Sequence, residues 1–135
     1  MMFVDAAAIV AILGKEEEAV RCAEAITGAD SPFTSPIAVW EAALALSRPD
    51  RLGLSVENSS AIVRLFLEDT GVEVRQLPPP EITLAGSIEA AARIRDRKQR
   101  LNLADCFHYA MAKHHNATML STANEFRFTD LETVP

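Results

Sequence analysis

The stretch Met2-Phe3-Val4-Asp5-Ala6-Ala7-Ala8-Ile9-Val10-Ala11-Ile12-Leu13-Gly14 decides the fold. Residues 2–5 read as a short buried strand that ends at an acid. Residues 6–13, rich in alanine and isoleucine, read as a helix that Gly14 stops. A buried strand running straight into a helix is the opening of a parallel α/β arrangement. The stretch has no basic leader and carries Asp5 inside it, so it reads as core and not as a signal peptide.

The same alternation continues downstream. Residues 15–27 place Val20, Ala23 and Ile26 at helical spacing, with Gly28 as the stop. Residues 32–34 are a second strand. Ser35-Pro36 then combines an N-cap with a proline at the first helical position, and a helix follows through Trp40 to about Leu46. Residues 55–69 form another helix, with Ile62, Val63, Phe66 and Leu67 along one face, ended by Gly71. Residues 72–74 alternate like a strand. Pro78-Pro79-Pro80 precedes a helix over 81–94, and a polar, basic loop covers 95–101. A helix over 102–115 starts at Asn102, a good cap, and residues 118–120 are a fourth strand with Asn124-Glu125-Phe126 in the loop beyond. Strands alternating with helices predict a three-layer α/β/α sandwich around a central, mainly parallel sheet.

The 135 residues suggest one domain, residues 1–135, long enough to bury a real core. Apolar residues make up 49% and charged residues 24%, a globular balance. Cys22 and Cys106 have no CxxC spacing and no neighbouring histidine pair, which argues against a structural zinc site and for reduced thiols in the cytoplasm. No apolar run reaches the ~18 residues of a membrane span. The net charge of −6 argues against a large nonspecific nucleic-acid binder. The distribution matters more than the sum, because Arg93, Arg95, Arg97, Lys98 and Arg100 form one basic strip. A strip of that kind can hold RNA phosphates, or it can be a solvated loop and helix end.

Sites in open parallel sheets form at the carboxyl ends of the strands. Asp5 ends the first strand, Glu41 lies in the helix after the second, Asp105 lies in the first turn of the helix at 102–115, and Asn124 and Glu125 follow the fourth strand. Like charges repel and buried charges are costly, so acids gathered there need a cation. All-oxygen ligands select hard ions such as Mg²⁺ or Mn²⁺. One or two such ions can polarise a phosphoryl oxygen and activate water, the chemistry of phosphodiester hydrolysis. Each acid alone also has an ordinary reading. Asp5 can be a helix cap, Asp105 a charge favoured by the helix dipole, and Glu125 an exposed loop charge.

These segments resemble the PIN-domain family, and its VapC-type toxins in particular. FVDAAAIVAIL (3–13) resembles the first PIN segment, TSPIAVWEAALAL (34–46) the second, RLNLADCFHYAMAKHHNATMLS (100–121) the third, and ANEFRFTDL (123–131) the closing one. The resemblance implies Asp5, Glu41, Asp105 and Glu125 as catalytic acids, with Asn124 a further metal ligand. It implies one or two Mg²⁺ or Mn²⁺ ions, an endoribonuclease acting on tRNA or ribosomal RNA, a homodimer, and neutralisation by a VapB-type antitoxin. Two positions depart from the family pattern. Ala7 stands where a serine is usual, and Glu125 stands where an aspartate precedes the phenylalanine, with Asn124 lacking a charge.

A rival reading is a PIN-like module that binds RNA or antitoxin without turnover. A third is a structure-specific DNA nuclease. Among the remaining residues, Trp40 and Phe107 read as core, and Thr34 and Ser35 as capping residues. His108 reads as a surface or interface residue one turn beyond Asp105, with His114 and His115 nearby.

Overall fold

A computed structural model describes residues 1–135. Five strands form one sheet: β1 (Met2–Val4), β2 (Pro32–Thr34), β3 (Glu73–Val74), β4 (Thr118–Leu120) and β5 (Thr133–Val134). Six helices complete a three-layer α/β/α sandwich: α1 (Ala6–Leu13), α2 (Ala19–Thr27), α3 (Pro36–Ser47), α4 (Val56–Thr70), α5 (Pro80–Arg93) and α6 (Leu103–His114). The strand order is β3-β2-β1-β4-β5 and every pair is parallel. The chain therefore winds outward from β1 to β3, then returns to β4 on the other side of β1. β1 and β4 flank the point where the winding reverses, the place at which such sheets open a crevice at their carboxyl ends.

Local chemistry explains the element starts. The Ser35 hydroxyl accepts the Ala38 N–H at 3.1 Å, with Pro36 in the first turn of α3. Ser55 caps α4 in the same way, and Gly71 ends it in a left-handed conformation at φ 72°. The Asn102 side chain accepts the Asp105 N–H at 2.8 Å and so fixes the start of α6. Phe3 and Phe33 meet edge to face at 5.6 Å inside a cluster of 26 buried residues. No helix is long and apolar enough to cross a membrane.

Several details differ from expectation. α2 begins at Ala19, because residues 14–18 form a turn with Lys15 at φ 52°. Residues 124–128 form a 3-10 turn, and β5 adds a two-residue edge strand registered on Met119 and Leu120. Trp40 lies outside the core at 62% exposure, because its position on α3 turns away from the sheet, whereas Phe107 is half-buried.

α5 and α6 approach unusually closely at Gly86, where a Cβ would lie 2.7 Å from the Ala110 Cβ and 2.9 Å from its Cα. Helix propensity alone would favour alanine there by about 1 kcal/mol. Backbone atoms cannot yield, so the overlap outweighs that gain. We expect Gly86→Ala to lower stability by about 1–2 kcal/mol, read as a lower urea midpoint at unchanged slope.

Candidate metal centre

Asp5 follows β1 and Ser121 follows β4, so the pairing of Val4 with Leu120 sets them side by side. The Ser121 hydroxyl donates to Asp5 Oδ2 at 2.6 Å, and the Asp5 N–H donates to the Leu120 carbonyl at 3.0 Å. Asp5 occupies the N-cap position of α1, yet its side chain makes no capping hydrogen bond. Its carboxylate is buried, and Oδ1 has no hydrogen-bond partner at all. A carboxylate that neither caps its helix nor completes its hydrogen bonds is placed for something else.

Glu41 arrives from the second turn of α3 and Asp105 from the first turn of α6. His108 lies one turn below Asp105, wholly buried, with its ring against Phe3 at 5.5 Å. Its Nε2 is 2.9 Å from Glu41 Oε1 and 3.7 Å from Asp5 Oδ1. One donor atom from each of Asp5, Glu41, Asp105 and His108 lies within 4.8 Å of every other. Ligands on opposite sides of one Mg²⁺-sized ion are about 4.2 Å apart. The four groups are thus a small contraction away from a common coordination sphere.

The crowding shows in the proton affinities. Burial pushes the Asp105 carboxyl up to about 7, and the charges of Asp5, Glu41 and Glu125 add to the rise while His108 opposes it. Burial likewise raises Asp5, against the lowering by His108 and the Ser121 hydrogen bond. For His108, burial alone would lower the value. The Glu41 hydrogen bond and the charges of Asp5, Glu41 and Asp105 overcome it, and the imidazole is raised. The metal-free cluster therefore lowers its own repulsion with protons and one imidazole.

Asp5, Glu41 and Asp105 open onto a cleft of about 330 Å³, lined also by Asn102, Glu125 and Arg51. Glu125 lies near enough to raise the Asp105 proton affinity, but it is not part of the four-atom group. Asn124 is exposed at the start of the 3-10 turn. Ala7 lines the cleft where a hydroxyl is usual. Arg93 is engaged elsewhere, 3.1 Å from Glu89 and 3.3 Å from Asp130, in a network that Tyr109 and Lys113 join. Arg95, Arg97, Lys98 and Arg100 are in or beside the exposed segment that leads to Asn102. His114 is exposed and His115 packs on Phe33, away from this cluster.

His108 thus belongs to the cluster and not to the surface. The helical spacing held the signal, because residues three apart share a face once Asn102 fixes the start of α6. Ser121 and Arg51 carried no comparable signal.

The donor set fits a divalent cation. Three carboxylates converge, one of their buried oxygens has no partner, and oxygen donors suit a hard ion. His108 Nδ1 is buried without a partner, whereas a metal-bound imidazole ordinarily donates from its second nitrogen. With Nε2 engaged by Glu41, His108 acts as a support for the carboxylates more readily than as a ligand.

The PIN domain profile matches residues 2–131. A VapC ribonuclease of Rhizobium meliloti is 30% identical, over 97% of this chain and 99% of its own length. Ribonuclease VapC42 of Mycobacterium tuberculosis is 28% identical, over 96% of each. Among solved structures, VapBC2 of Rickettsia felis bound to a promoter DNA fragment aligns with a TM-score of 0.70 at 16% identity, over 99% of this chain and 98% of that one. VapC20 of Mycobacterium tuberculosis, a sarcin-ricin loop cleaving toxin, aligns at 0.72 and 13%, over 97% and 96%. With a parallel sheet in the order β3-β2-β1-β4-β5 and acids converging at its reversal point, these likenesses leave one assignment: the chain belongs to the PIN domain family, in its VapC branch.

Proposed function

We propose that residues 1–135 act as one PIN-like domain, a toxin endoribonuclease in which Asp5, Glu41 and Asp105 hold a divalent ion, Mg²⁺ or Mn²⁺. The observation that carries this reading is the convergence of those three carboxylates, with an unpartnered Asp5 oxygen, at the carboxyl ends of β1 and β4. The relatives named VapC ribonuclease support RNA as the substrate. The VapBC complexes among the structural neighbours support a VapB-type antitoxin as the protein partner. Exposed Leu84 and Ile88 on α5 and Leu103 on α6 support a homodimer. The free, buried Cys22 and Cys106 fit a reducing cytoplasm.

Bound there, the ion would polarise a phosphoryl oxygen and lower the pKa of a coordinated water. The chain's own groups set the stage for in-line attack. Ser121 holds Asp5 through Oδ2 and leaves Oδ1 free for the ion. His108 fixes Glu41 through Nε2. Asp105, at about 7, is about half protonated at neutral pH in the metal-free protein and would have to be deprotonated to hold the ion. Glu125 contributes charge from the lining of the cleft. Its position outside the four-atom group is what favours the rival without turnover.

Cleavage of total RNA in Mg²⁺ or Mn²⁺ tests the proposal directly. Outer-shell partners of a metal site are already worth about 10–100-fold, so Asp5→Asn and Asp105→Asn should each cut activity by more than about 100-fold. Equal cutting by wild type and both variants would assign the activity to a contaminant. Calorimetric binding of Mn²⁺ without any cleavage would favour the rival.

Stability should respond to pH and metal together. Asp105, Asp5 and His108 all bind protons more tightly folded than unfolded. The Asp105 contribution is complete below the unfolded carboxylate value and is lost as pH rises through about 7. Without divalent ions, the Tm of Asp105→Asn should therefore gain several degrees on wild type between about pH 5 and about pH 8. Saturating Mn²⁺ should reverse that order at the higher pH by stabilising the wild type through mass action. A wild-type Tm insensitive to metal would count against the site.

A further inference from the structure

We propose that Arg51 is a substrate-positioning residue that holds an RNA backbone phosphate at the mouth of the acidic cleft. The inference rests on the ribonuclease reading above and names a contact which that reading leaves open. Arg51 is the single lysine or arginine among the side chains that line the cleft with Asp5, Glu41, Asp105 and Glu125. It forms no ion pair with any of those four acids. Its Nη1 instead engages Glu16, from the turn between α1 and α2.

The turn that carries Arg51 is well defined. The Arg51 N–H donates to the Arg48 carbonyl at 2.9 Å, and the Leu52 N–H returns to the Leu46 carbonyl at 3.0 Å. Gly53 supplies the left-handed residue, at φ 63°, that lets its own N–H reach Arg48 as well. Glu16 is fixed in turn by its N–H on the Ala11 carbonyl at 2.9 Å. Two separate turns thus set the guanidinium at the cleft wall, with Nη2 and Nε left without a protein acceptor.

A phosphodiester chain approaching four acids is repelled unless a cation meets it. A guanidinium offers a planar fork matched to phosphate oxygens, and two of its nitrogens are available. The Glu16 pair occupies only Nη1, and with side chains 29% and 36% exposed it is partly screened by solvent. The cleft is also lined by Asn102, two residues after Arg100 and the end of the basic 95–100 segment. An RNA backbone held by Arg51 and by that segment would lie along the cleft that Asp5, Glu41 and Asp105 line.

Fluorescence anisotropy of a labelled single-stranded RNA dodecamer, with Ca²⁺ in place of Mg²⁺ to prevent cleavage, tests the assignment on the full chain. Arg51→Gln should weaken binding roughly 3–10-fold at low salt and reduce the slope of log K against log salt by about 0.7, one phosphate contact on a single strand. Arg51→Lys should restore most of the slope, since it keeps the charge. Arg48→Gln is the control: it lies in the same turn, pairs with Asp50 and is 60% exposed outside the cleft, so its slope should match wild type. A slope for Arg51→Gln equal to that of wild type or of Arg48→Gln would overturn the role of Arg51 and leave the ribonuclease reading standing. Failure of the wild type to bind the RNA at all would overturn both.

Discussion

The parallel pairing of β1 with β4 is the constraint on which everything else depends. Those strands are 116 residues apart by the Asp5–Ser121 count, and they meet only because the chain finishes one wing of the sheet before beginning the other. Their register puts the ends of both strands level, at Val4 and Leu120. The next residue on each is the polar one, so a carboxylate and a hydroxyl face each other at 2.6 Å in an otherwise apolar layer. A shift of one residue in that register would turn the alternate side chains toward the wrong face and separate the pair.

A carboxylate fixed in that way attracts a supporting cast. Glu41 and Asp105 come from helices whose starts are pinned by Ser35 and Asn102, so their distance from Asp5 is set by capping as much as by packing. Three acids in one place are unfavourable on their own. The structure offsets this with an imidazole beneath them and with the raised proton affinity of Asp105.

Much of this was legible in the chain. Apolar strands ending at acids, Ser35-Pro36, Gly71 and Asn102 are local signals, and each element they mark is present. The convergence of Asp5, Glu41 and Asp105 is legible because strand ends in a parallel sheet share a rim. What escaped was nonlocal or too short to have a pattern. β5 is two residues long, and its partner lies in β4. Trp40 has the composition of a core residue, but only the tertiary placement of α3 decides which way it faces. The burial of His108 has no local signal, because an imidazole on a helix has no intrinsic preference for burial and its neighbour Glu41 is 67 residues away. The Arg51–Glu16 contact joins two turns that no periodicity connects.

The close fit of Gly86 on Ala110 has a consequence for the segment between those helices. α5 ends at Arg93 and α6 begins at Leu103, and the two are clamped along their length. The connecting residues are moored at both ends to a rigid post. With both ends fixed, the apex of such a loop reaches no farther than about half its contour, roughly 16 Å. Its cations are confined to a small volume next to the start of α6. Anything negative that enters that volume meets them at a high local concentration, whatever the acidity of the molecule as a whole.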